Sequence, residues 1–91
     1  MADVVSLIRF ITPSIQKLVD LEFEKLASEP DTGSALDQIN LRGGDKIIYE
    51  FLINGEPGMA FDHLAYMIEE TGIEVAPHTR EALARISALM S

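Results

Sequence analysis

Apolar residues return every three or four positions along most of this chain. In the first stretch Ile8, Ile11, Ile15 and Leu18 keep that spacing, and Val4, Leu7, Leu21 and Leu26 widen the same face. The pattern predicts an amphipathic helix from about Asp3 to Leu26. Thr12-Pro13 interrupts it. Threonine is a good N-cap and proline is favoured at the first helical position. The expectation is therefore a short helix to about Phe10 and a longer one from Pro13, with a single kinked helix as the alternative.

Further along, Glu29-Pro30-Asp31-Thr32-Gly33 has the composition of a loop. Ser34 is placed to cap a short helix containing Leu36, Ile39 and Leu41, which Gly43-Gly44 should break. Asp45 is expected to cap the next helix, which carries Ile47, Ile48, Phe51 and Leu52 and should end at Asn54-Gly55. Pro57 opens a helix whose core positions read as Phe61, Leu64, Ala65 and Ile68, with Thr71-Gly72 as its stop. Ile73–Val75 reads as a short extended connector. Ala76-Pro77 begins a last helix that should bury Leu83, Ile86 and Met90.

Every long segment thus has a helical period, and one three-residue connector cannot build a sheet. The predicted fold is all-α, a compact bundle of four to five short helices. Its core should include Ile15, Leu18, Phe51, Phe61, Leu64, Ile68, Leu83 and Ile86. Phe10 and Phe23 are expected there too, while Tyr49 and Tyr66 lie beside the apolar stripe.

Length and composition narrow the setting. The 91 residues suit one domain spanning the chain. A 47% hydrophobic content suits an ordered globule. There is no cysteine, so disulfides and thiolate metal sites are excluded and helix packing must carry stability. With no basic leader at Met1-Ala2-Asp3 and no long apolar run, the expected location is the cytoplasm, away from any membrane.

Charge changes the picture most. The formal net charge is −8, which repels nucleic acid and attracts basic partners. Between Lys46 and Arg80 there is no Lys or Arg, yet that interval holds Glu50, Glu56, Asp62, Glu69, Glu70 and Glu74. These acids either solvate helix surfaces or form a docking face for a cationic protein. Tyr66 is four residues after Asp62 and three or four before Glu69 and Glu70, so the four share one side of a helix. An aromatic among carboxylates suits an interface, since Tyr is a frequent anchor and acids steer a basic partner. The expected binding residues are Asp62, Tyr66, Glu69 and Glu70, with Glu74 and Glu50 nearby. Glu56, just before Pro57, reads instead as a helix cap whose carboxylate accepts free backbone N–H groups.

Catalytic chemistry finds little support. His63 and His78 are the only histidines and form no metal-binding pair. Glu69 and Glu70 are adjacent, hence about 100° apart around a helix, which is poor geometry for an acid–base pair. The serines sit in no nucleophile-elbow context, and Gly43-Gly44 lacks the lysine of a phosphate loop. The expectation is a binding protein rather than an enzyme, with no cofactor and no metal.

The stretch Glu56, Gly58, Ala60, Asp62, Leu64, followed by Glu69-Glu70-Thr71-Gly72-Ile73 and a final helix over Pro77–Met90, resembles the small helical immunity proteins of contact-dependent growth inhibition and Maf-type toxin systems. The resemblance covers roughly residues 45–90. It implies a cytoplasmic protein that binds the C-terminal domain of a cognate toxin, often a basic nuclease, and blocks its active site or substrate groove. The rival reading is an unrelated helical interaction module or regulatory subunit, possible as a homodimer.

Overall fold

The N-terminal helix does not break at Pro13. The computed structural model describes residues 3–27 and 38–90, and its first helix, α1 (Val4–Ala27), runs through the proline without a stop. An internal proline costs a helix about 3 kcal/mol. The apolar line Ile8, Ile11, Ile15 and Val19 continues on both sides of it, and all four side chains are buried. Each contributes roughly 1.5–3 kcal/mol by leaving water, so packing outweighs the local defect. Thr12 is not an N-cap. It is buried, and its hydroxyl donates to the Ile8 carbonyl one turn back at 2.6 Å. The cap of α1 is Asp3, whose carboxylate accepts the Ser6 N–H at 2.7 Å. That hydrogen bond holds the Asp3 carboxyl below its usual pKa.

Four more helices follow among the described residues, and no strand: α2 (Gln38–Arg42), α3 (Gly44–Ile53), α4 (Pro57–Thr71) and α5 (Pro77–Met90). The all-α expectation holds. The loop expected at 29–33, the Ser34 cap and Leu36 lie outside the described residues, as do the side chains of Leu26 and Ile39. Helix α1 is the hub and packs against each of the other four.

The α3–α4 hairpin is closed by backbone geometry. Gly55 takes φ +74°, the Gly55 N–H donates to the Leu52 carbonyl at 3.2 Å, and the Glu56 N–H donates to the Phe51 carbonyl at 2.8 Å. This pair of bonds is the Schellman arrangement, and it needs a residue free to adopt a left-handed conformation. Asn54 keeps φ −84°, so the glycine alone takes that conformation. Glu56 then starts α4 through its own carbonyl, which accepts the Ala60 N–H at 3.2 Å. Its carboxylate makes no capping bond, contrary to the sequence expectation, and points into solvent. Gly72 ends α4 at φ +65°, its N–H donating to the Ile68 carbonyl at 2.9 Å. The connector beyond it has no regular structure but is anchored by buried Val75.

Asp45 is likewise not the cap of α3. The helix begins one residue earlier, at Gly44, and the free first-turn N–H of Asp45 donates to the Gln16 side-chain oxygen at 2.9 Å. Gln16 is buried within the apolar line of α1, and its amide nitrogen donates to the carbonyls of Leu41 and Arg42 at 3.0 and 3.1 Å and to the Asp20 carboxylate at 2.9 Å. One side chain therefore satisfies the end of α2 and the start of α3 together.

The core holds Ile8, Ile15, Val19, Leu41, Ile48, Leu64, Met67 and Ile86 with almost no exposure, and Phe23 and Leu52 close to it. Several expectations need correction. Phe10 is 71% exposed, since a residue two positions after Ile8 points about 200° around the helix. Met90 is 39% exposed near the end of α5. Leu18, Phe51, Phe61, Ile68 and Leu83 are half-buried and pack against the core rather than inside it. In α4 the buried line is Ala60, Leu64 and Met67, not Phe61, Leu64, Ala65 and Ile68. The helix is turned by roughly a fifth of a turn from the apolar-count expectation. The cause is Gly44, which lets Met67 pack directly against the start of α3.

Candidate interaction surface

The rotation of α4 decides which side chains face out. Asp62 and Glu69 stand opposite the buried line, and Glu70 is exposed beside them. Tyr66 is drawn inward. It is half-buried against the core, with its ring 5.6 Å from that of His63 at a tilt of 37°. The His63 Nε2 lies 2.9 Å from the Asn40 carbonyl, which can only accept, so this nitrogen carries the hydrogen and ties α4 to α2. The tyrosine is thus held in place by its neighbours instead of standing free among carboxylates.

The six expected binding residues fall on three parts of the fold. Asp62, Tyr66, Glu69 and Glu70 belong to α4. Glu50 is exposed on α3, the helix paired with α4. Glu74 is exposed on the connector after Gly72 and lines an open groove of about 450 Å³ with Glu22, Glu24 and Lys25 of α1. The structure groups the α4 residues and adds the α1 acids to Glu74, a neighbourhood that sequence spacing does not reveal.

Electrostatically, the end of α4 works against its own stability. Glu69 and Glu70 occupy the last turn, where the helix dipole is negative and cations are favoured, and that turn holds no basic residue. None of Glu50, Asp62, Glu69, Glu70 and Glu74 forms an ion pair with another described residue; the pair recorded on the surface is Lys25–Glu22 at 3.9 Å. Each misplaced acid at a helix C-terminus costs roughly 0.3–1 kcal/mol.

No group of three or more His, Cys, Asp or Glu among the described residues is arranged to hold a metal ion. No described helix is long and apolar enough to cross a membrane. His63 and Gln16 are the polar side chains whose roles sequence reading missed. A signal existed for Gln16, which falls in phase with Ile8, Ile15 and Val19, whereas the partner of His63 is 23 residues away. In comparisons with protein families, curated proteins and solved structures, nothing matches this chain.

Proposed function

We propose that this chain is a cytoplasmic immunity protein that neutralises a cognate toxin domain, of the basic nuclease type, by binding rather than by catalysis. The observation that carries this reading is the uncompensated acidic end of α4. Glu69 and Glu70 are exposed at the wrong pole of a helix whose last turn holds no basic residue. A local feature that lowers stability is expected where function requires it. A nuclease groove built to attract phosphate supplies the missing cations, and carboxylates on a rigid helix occupy the same positions as phosphates. The resemblance of residues 45–90 to small helical immunity proteins points the same way.

In this reading Asp62, Glu69 and Glu70 make the first electrostatic contact. Tyr66, held against His63, offers a pre-positioned aromatic edge, and Glu50 and Glu74 flank the contact. Charge steering acts mainly on association, so binding should be fast and salt-sensitive. The test is a kinetic titration of Glu69→Lys/Glu70→Lys against the toxin encoded beside this gene, at low and moderate salt. The expected result is a slower on-rate and a flatter salt dependence, with melting equal to or above wild type because lysine suits the C-terminal end of a helix. Affinity and salt dependence equal to wild type would leave α4 as a solvated surface and overturn the reading.

A further inference from the structure

Helix α1 carries two apolar lines. The first, through Ile8, Ile11, Ile15 and Val19, is buried. The second consists of Leu7, Phe10, Leu18 and Leu21 with Ser14 at its middle, and it lies outside the core. Phe10 is 71% and Leu21 43% exposed, while Leu7 and Leu18 are half-buried. Among the described residues, Phe10 and Leu21 of this line stay largely uncovered. Beside Leu7 and Phe10 an open groove of about 480 Å³ separates them from Ala82 and Arg85 of α5. Beside Leu18 and Leu21 a second groove, that of Glu74, opens toward Ile73.

The spacing of this second line is symmetric. Leu7 and Leu21 are equidistant from Ser14, and so are Phe10 and Leu18. A helix with such a palindromic pattern is complementary to itself in antiparallel orientation. With a two-fold axis at Ser14, Leu7 meets Leu21 of the second copy and Phe10 meets Leu18, in both directions. A small side chain falls where the helices approach most closely, which favours the 8–10 Å axis separation of packed helices. The same register sets Asp3 opposite Lys25 of the second copy, twice, where that lysine, 3.9 Å from Glu22 of its own helix, can also face the aspartate. This matters for a chain of net charge −8, whose overall charge works against self-association.

We infer that α1 docks onto α1 of a second copy of this chain, antiparallel about Ser14, forming a two-fold homodimer. The inference rests on α1 alone and does not depend on the toxin reading.

The experiment is light scattering of the purified full chain without toxin, over about 5 to 500 µM. The mass should rise from that of one chain to that of two. Phe10→Glu and Leu21→Glu should each hold it at one chain, and should melt as wild type at the low concentrations where both are single chains, since both side chains are exposed. Because the chain lacks cysteine, Ser14→Cys reports the axis directly: mild oxidation should link two copies. Ser87→Cys, exposed on α5, should not. A single-chain mass at every concentration, with Ser14→Cys linking no faster than Ser87→Cys, overturns the inference. So does self-association that survives both glutamate substitutions. Loss of toxin binding in Phe10→Glu with no dimer in wild type would assign the stripe to the toxin instead.

Discussion

The backbone N–H of Asp45 donates to the side-chain oxygen of Gln16 at 2.9 Å across 29 residues of chain. The amide nitrogen of the same Gln16 reaches the Leu41 and Arg42 carbonyls. This side chain is what allows α2 to end and α3 to begin within one residue. Gln16→Leu should roughly keep the volume and orphan three backbone groups, one buried and two part-buried. The expected loss is ~1–3 kcal/mol, read as a lower urea midpoint with unchanged slope.

Gly44 is needed for space rather than for backbone freedom. A Cβ there would clash with Met67 Sδ and lie 2.6 Å from its Cε. Ala normally improves on Gly inside a helix by up to about 1 kcal/mol. Here the thioether end of the fully buried Met67 must repack to admit the methyl, so Gly44→Ala should instead destabilise by ~1–3 kcal/mol. The double mutant with Met67→Ala should be less unstable than the sum of the two single changes. Strict additivity in that cycle would show that the two positions do not touch.

Pro13 is exposed and costs α1 a hydrogen bond to the Arg9 carbonyl. Pro13→Ala should restore that bond and stabilise the chain by ~1–2 kcal/mol, after allowance for the looser unfolded state. Thermal melting checks it. A lower melting temperature would mean that the proline's shape is required in α1.

Asp3 gives a pH dependence. Its folded pKa is depressed by the Ser6 N–H, so its contribution is present above the unfolded carboxylate pKa and is lost as pH falls through the folded value. Asp3→Ala should therefore lower the melting temperature near pH ~7 and make little difference near pH ~2. Asp3→Asn, which still accepts the hydrogen bond, should fall between them with a flatter pH profile. An equal loss at both pH values would exclude the carboxylate as the cause.

Leu64 and Phe61 separate core from margin. Leu64 is fully buried and Phe61 only half-buried. Leu64→Ala should cost ~2–5 kcal/mol in chemical denaturation, and Phe61→Ala less despite its larger side chain. The reverse order would restore the apolar-count orientation of α4.

Local rules were sufficient for the existence of most of the helices and for several of their ends. The three-to-four spacing of Ile8, Ile11 and Ile15, the stops at Gly55 and Gly72 and the starts at Pro57 and Pro77 are all legible in the chain, because each depends on neighbours within one or two turns. The uncompensated acids from Glu50 to Glu74 are legible for the same reason, as charge is written directly in residue type. Tertiary packing decided the rest. Whether α1 survives Pro13, which way α4 turns, and whether Tyr66 stands free or leans on His63 depend on contacts with distant residues. Ile8 must share a core with Ile48, Met67 must find the space above Gly44, and Gln16 must reach Asp45. Those contacts outweigh local preference because each fully buried apolar side chain contributes more than the few tenths to about one kcal/mol that separate helical propensities.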